Sequence, residues 1–218
     1  MRESKKAKQE RLSEALARLN AAYPDVKPML EYRTAFELLV AVILSAQCTD
    51  KQVNKCTREL FAKYSAPEDF AKLPEQERFG YIRGCGLYQT KGRNIIKAAK
   101  MIEELYGGEV PRTREELMKL PGVGRKTANV VLANAFNVNA IAVDTHVFRV
   151  ANRIGFAKAS DVLNTEKQLM KNIPERMWSK AHHWLIYHGR GVCSARSPKC
   201  GDCTLNTVCE EYRRAKKQ

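Results

Sequence analysis

Apolar and polar residues follow one another along this chain with the period of an α-helix. From Lys91 to Tyr106, the apolar positions Ile95, Ala98, Ala99, Ile102, Leu105 and Tyr106 recur every three or four residues, and Gly107 and Gly108 supply a left-handed stop. Comparable patterns predict helices near residues 9–22, 35–47, 50–64, 75–83, 125–136, 145–153, 161–171 and 175–188. Three pairs, Thr34 with Glu37, Ser65 with Glu68 and Thr113 with Glu116, fit the capping box that opens a helix. No segment sustains a period of two, so the fold class is all-α. The longest apolar run, Leu38 to Leu44, has seven residues, far short of the roughly 20 that span a bilayer. No membrane partner is expected.

Composition sharpens this picture. The chain has 218 residues, 44% hydrophobic and 28% charged, which excludes disordered and collagen-like classes. A chain of this length buries roughly 70% of its unfolded surface, enough for one or two compact domains. Short loops around Tyr23 to Lys27 and Asn137 to Val143 are the candidate boundaries. Lys plus Arg number 38 against 24 Asp plus Glu, a formal net charge of +14 that points to a polyanion. The opening residues MRESKKAKQERL are basic but carry no apolar export stretch, so the expected compartment is the cytoplasm.

The candidate chemistry begins at Leu117 to Phe136, LMKLPGVGRKTANVVLANAF, which reads as a short helix, a Pro-Gly-Val-Gly turn and a second helix. Gly122 and Gly124 permit positive φ and a close backbone approach by a ligand. The N–H groups and positive macrodipole at the start of the second helix suit a DNA phosphate, and Arg125 adds charge there. Lys126 lies in the same first turn, where the dipole and Arg125 disfavour its charged form. That is a setting for an amine nucleophile. Asp144, in AVDTH, is its candidate partner. The helix from Lys126 to Phe136 climbs roughly 15 Å, and the next seven residues span up to roughly 23 Å, so the chain can return. Asp144 also fits an N-cap for the following helix, and one carboxylate can serve both roles.

Seven cysteines without an export signal argue against a disulfide framework. Cys48, Cys56 and Cys85 stand singly among apolar neighbours. Cys193, Cys200, Cys203 and Cys209 form C-x6-C-x2-C-x5-C within 17 residues, a metal-site density that fits either zinc or an iron-sulfur cluster. Arg190, Arg196 and Lys199 are interleaved with them and face a polyanion in this reading. His182 and His183 precede Trp184 on an apolar helix and read as hydrogen-bonded core residues, and His146, two residues from Asp144, is assigned no role.

Taken together, LSAQCTD, LPGVGRKTA, VDTH and the cysteine spacing make the chain resemble the bacterial endonuclease III family of DNA glycosylases with abasic-site lyase activity. The resemblance runs from about Phe36 to Cys209. It implies a two-lobed helix-hairpin-helix glycosylase fold, with a helical bundle at 23–137 carrying the hairpin at about 114–133, and an iron-sulfur domain formed by 1–22 plus 138–218. It further implies a 4Fe-4S cluster on the four cysteines, catalytic roles for Lys126 and Asp144, and DNA-filling roles for Gln47 and Leu87. Gly122, Gly124, Arg125, Arg196 and Lys199 complete the expected DNA contacts. The implied partner is double-stranded DNA with damaged pyrimidines or abasic sites, bound by a monomer. The implied reaction is removal of an oxidised pyrimidine through a lysine Schiff base, followed by β-elimination. Two of these positions also fit plainer roles: Leu87 as a core leucine, and Gln47 as a capping residue before the helix that starts near Thr49. At the level of function, the competitors are an adenine glycosylase of the same fold, which lacks the hairpin lysine, and a non-catalytic DNA-binding module.

Overall fold

The computed structural model describes residues 3–216, apart from the side chains at 75, 76 and 78. Residues 1, 2, 217 and 218, the ends of the expected iron-sulfur domain, lie outside that range. Twelve α-helices and two 3-10 turns make up the described regular structure, with no strand among the described residues. The chain divides into two compact units, Pro28–Val138 and the discontinuous Met1–Lys27 with Asn139–Gln218.

The continuous unit contains α2 (Ala35–Leu44), α3 (Asp50–Lys63), α4 (Pro67–Lys72), α5 (Glu75–Ile82), α6 (Tyr88–Tyr106), α7 (Arg114–Leu117) and α8 (Arg125–Ala135). Nine of the ten α2 residues are buried, so this helix is apolar all round and forms the centre of its unit. Thr34 opens it as expected: its Oγ1 accepts from Glu37 N at 3.1 Å. The Ser65 and Glu68 pairing fails. Ala66 is the N-cap of α4, and the Asp69 carboxylate accepts from the N–H groups of Ser65 and Ala66, each at 3.0 Å. A carboxylate one residue further on takes the role expected of the hydroxyl. Helix α2 also stops at Leu44 rather than 47, because residues 45–47 turn out of the helix and Gln47 takes φ +54°.

The discontinuous unit comprises α1 (Lys5–Ala22), α9 (Thr145–Ile154), α10 (Val162–Asn172), α11 (Trp178–Gly191) and α12 (Glu210–Ala215). Leu12, Leu16 and Leu19 of α1 pack into one core with Val147, Val150, Ile154, Phe156, Trp184 and Leu185. Arg11 is buried beside them. Its Nη1 donates to Ile154 O and Val208 O, each at 2.9 Å, and its Nε donates to Glu3 Oε1 at 2.9 Å. A buried guanidinium is tolerated only with such full pairing, so Arg11 fixes α1 to the end of α9 and to the residue before Cys209.

Candidate functional site

The hairpin turn is held from inside. Leu120 and Val123 are buried, and their N–H groups donate to Leu117 O and Leu120 O, each at 3.1 Å. Gly122 stands at φ +81°, and a Cβ there would lie 3.0 Å from Asn94 Cβ, so both conformation and space require glycine. Gly124 departs from the expectation of positive φ. It is extended (φ −94°, ψ 177°) and caps α8 without any side chain, and an added Cβ would meet nothing within 4 Å. Of the two glycines, one shapes the turn and the other leaves the positive end of α8 open to a ligand. The first turn of α8 holds no acidic residue; Arg125 is half-buried there and Lys126 is exposed. Arg114 Nε donates to the buried Asn129 Oδ1 at 2.7 Å, bracing the two hairpin helices.

Gln47 and Leu87 share an unusual backbone. Both are non-glycine residues in the left-handed region, at φ +54° and +57°. Such residues cost on the order of 1 kcal/mol or more each and persist only where the surroundings over-determine them. Leu87 is 65% exposed, which removes the core-leucine role. Gln47 is exposed, and Thr49 rather than Gln47 caps α3, its Oγ1 accepting from Gln52 N at 3.3 Å. The two turns adjoin: a Cβ on Gly86 would lie 3.6 Å from Gln47 O. The three cysteines that look scattered in the sequence meet beneath them. Burial first, and then the neighbouring Cys56 and Cys48 thiols, push the Cys85 thiol up to about 12, so it is an inert packed group.

In the discontinuous unit, Asp144 caps α9. Its Oδ1 accepts from Val147 N at 2.7 Å, leaving the second carboxylate oxygen outside that bond. His146 pairs with Arg149, Nδ1 to Nη2 at 3.2 Å. His182 Nδ1 lies 2.8 Å from Ala142 O in the core, as its apolar neighbourhood suggested.

The four C-terminal cysteines line one cavity of about 120 Å³, together with Arg153, His188, Val192 and Leu205. Burial pushes the Cys203 and Cys209 thiols up, while backbone N–H groups, of Leu205 for Cys203 and of Tyr212 for Cys209, pull the other way. Leu205 N donates to Cys203 Sγ at 3.4 Å. Half-buried sulfurs already met by N–H donors suit thiolates bound to metal.

Two arginines that the sequence pattern did not single out hold this loop. Arg149 donates to Cys193 O from Nε at 3.1 Å and from Nη2 at 3.0 Å. Arg153 donates to Ser194 O at 2.7 Å, to Ala195 O at 3.0 Å and to Cys193 Sγ at 3.5 Å. Both are one turn apart on α9, the helix that Asp144 caps. Their spacing of four and their place near the helix C-terminus were the available signals; the partner carbonyls, 41 to 44 positions away, were not. Arg196 and Lys199 are exposed on the same loop.

The residues thus fall into two groups. Gln47, Leu87, Gly122, Gly124, Arg125 and Lys126 belong to one unit, and Asp144, Arg196, Lys199 and the cysteines to the other.

The family described as HhH-GPD superfamily base excision DNA repair protein matches residues 40–175. Endonuclease III of Bacillus subtilis (strain 168) is 51% identical over 204 residues, 93% of each chain. A structure of a non-covalent endonuclease III–DNA complex matches with 50% identity and a TM-score of 0.90, covering 96% of this chain and 99% of that one. A trapped endonuclease III–DNA covalent intermediate matches with 50% identity and a TM-score of 0.89, covering 95% and 98%.

Proposed function

Because the chain belongs to the HhH-GPD superfamily of base excision DNA repair proteins, and within it to the endonuclease III family, we propose that it is a bifunctional DNA glycosylase and abasic-site lyase acting on damaged pyrimidines in duplex DNA. The observation that carries this reading is Lys126, an exposed amine in the first turn of a helix whose N-terminus glycine leaves open. The hairpin amides and Arg125 hold phosphate, which presents the sugar to Lys126.

A stacked base hides its glycosidic carbon, so the nucleotide leaves the duplex, and Gln47 and Leu87 fill the vacancy. Oxidised or saturated pyrimidines have lost planarity and stack weakly, which lowers the cost of that step. The Lys126 nitrogen lone pair then forms a bond to C1′ as the C1′–N bond breaks, and the base departs with its electron pair and gains a proton. Opening of the sugar ring leaves a Schiff base. Its electron withdrawal acidifies the C2′ proton; loss of that proton expels the 3′ phosphate and cuts the strand. Asp144 takes the lysine proton or stabilises the positive charge that builds on the sugar.

The four cysteines fit a 4Fe-4S cluster: four half-buried cysteines lining one cavity offer it four thiolate ligands. When bound, such a cluster supplies Fe–S bonds that cross-link residues 193–209, and the chain itself then presents Arg196 and Lys199 to the phosphate backbone. No described helix is long and apolar enough to cross a membrane, and we place the protein in the cytoplasm as a monomer on the chromosome.

Borohydride trapping tests the assignment. Lys126→Gln is expected to lose both strand cleavage and the covalent adduct while abasic-site binding persists. A Lys126→Gln protein that cross-links at the parent's rate would show that another amine is the nucleophile. Asp144→Asn should keep its cap and slow base release by orders of magnitude. Purified protein should hold iron and acid-labile sulfide, and a fully active preparation containing zinc alone would rule out the cluster.

A further inference from the structure

Lys91 lies in the first turn of α6 and is 6% exposed, a rare place for a lysine. Its ammonium donates to Leu44 O at 2.8 Å and to Ala46 O at 2.6 Å. Its backbone N–H donates to Leu87 O at 3.0 Å. One residue therefore grips the last carbonyl of α2, the carbonyl just before Gln47 and the carbonyl of Leu87. Gln47 and Leu87 are two of the three non-glycine residues at positive φ among the described residues. The negative end of the α2 dipole meets the ammonium as well. A helix end on its own needs only water or a glycine cap, so a buried cation here must answer another demand. The ammonium is fixed by two carbonyls of the turn before Gln47 and is carried on the first turn of α6, whose own backbone bond to Leu87 O holds the other turn, so the two turns keep a set separation.

We propose that Lys91 is a positioning residue for base flipping: it sets the spacing of Gln47 and Leu87 so that both enter the duplex together as the damaged nucleotide leaves. The inference rests on the duplex-filling roles given above to those two residues. Lys91 itself touches no substrate. It acts through the backbone of both turns, and displacing such a pair by about 1 Å costs on the order of 10²-fold in rate.

Single-turnover base release distinguishes positioning from plain stabilisation. Two duplexes carry the same saturated pyrimidine, one opposite its normal partner and one opposite an abasic analogue, where less unstacking is needed; 2-aminopurine beside the lesion reports insertion. Lys91→Met is expected to slow release from the paired duplex on the order of 10²-fold, to lose the fluorescence change, and to slow release from the loosened duplex only a few-fold. Lys91→Arg, which keeps the charge, should recover part of both signals. In a Gln47→Ala/Leu87→Ala background, Lys91→Met should slow release no further. Equal losses on both duplexes, or full additional slowing in that background, would overturn the positioning role. If Gln47→Ala/Leu87→Ala alone releases base at the parent's rate, the error lies instead in the roles of those two residues. Should Lys91→Met fail to fold, Lys91→Gln, which keeps a donor, carries the same readouts.

Discussion

The hairpin of the continuous unit and the cysteine loop of the discontinuous one both carry exposed basic side chains, yet they are shaped by opposite means. In the hairpin, buried Leu120 and Val123 anchor the turn from below, and a glycine at positive φ completes it. In the loop, the anchors are cations: Arg149 and Arg153 reach across from α9 to carbonyls of residues 193–195, and Arg11 holds Val208 O beside Cys209. The hairpin buries its own apolar residues and can be compact without help. The loop has few apolar residues of its own, so its carbonyls need donors from elsewhere.

Four measurements press on this contrast. The largest effect is expected from Arg11→Met, which orphans Ile154 O and Val208 O and takes one guanidinium partner from Glu3; thermal unfolding should show a loss of about 3–5 kcal/mol, together with weaker iron retention. Leu120→Ala opens a cavity under the hairpin instead. It should cost about 2–4 kcal/mol with iron content unchanged. If Leu120→Ala empties the iron site as fully as Arg11→Met, the two means of support are not separate.

The paired glycines give the third test. Gly122→Ala meets a positive φ and the Asn94 Cβ, and should lose about 1–3 kcal/mol. Gly124→Ala meets open space at an ordinary φ and should leave stability within about 0.5 kcal/mol while weakening duplex binding. Equal destabilisation by both would contradict their different roles.

A fourth test is in acid. All four histidines lie in the discontinuous unit, and burial, with His182 beside it, pushes His183 down to about 3. Its folded form resists protonation while the unfolded chain takes up a proton near pH 6.5. Stability contributed at neutral pH is therefore lost as pH falls from about 6.5 toward 3, by at most about 1.4 kcal/mol per pH unit. Hydrogen exchange between pH 7 and 5 should show amides of α11 opening before those of α6. The reverse order would place the acid-sensitive group elsewhere.

Local features of this molecule were legible in the sequence; features that join distant segments were not. The period of α6 and the Thr34 and Thr113 caps depend on residues within four positions of one another, and the pattern contains them whole. The hairpin, the place of Lys126 in the first turn of α8 and the Asp144 cap were readable for the same reason. Arg11, 197 positions from Val208, looked like one more surface charge on a basic helix. Lys91, 47 positions from Leu44, looked the same, because nothing local distinguishes a lysine that donates to carbonyls from one that faces water. The apolar run ends with α2 at Leu44, and the turn at residues 45–47 is held as well by a charge on another helix that the local pattern does not show.

The discontinuity of one unit has a consequence in time. Helix α1 is made first, but the surface that covers Leu12, Leu16 and Leu19 is complete only when Val208 has been added, about 190 residues later. At ~5–20 residues per second, that interval is roughly 10–40 s. Until it ends the core around α1 is incomplete, while residues 28–138 are all present some 70 residues earlier and can close. Lys5, Lys6, Lys8 and the other charges on α1 keep the waiting helix hydrated. A chain in synthesis can therefore close its hairpin unit before the segment that completes the cover over α1 has been added.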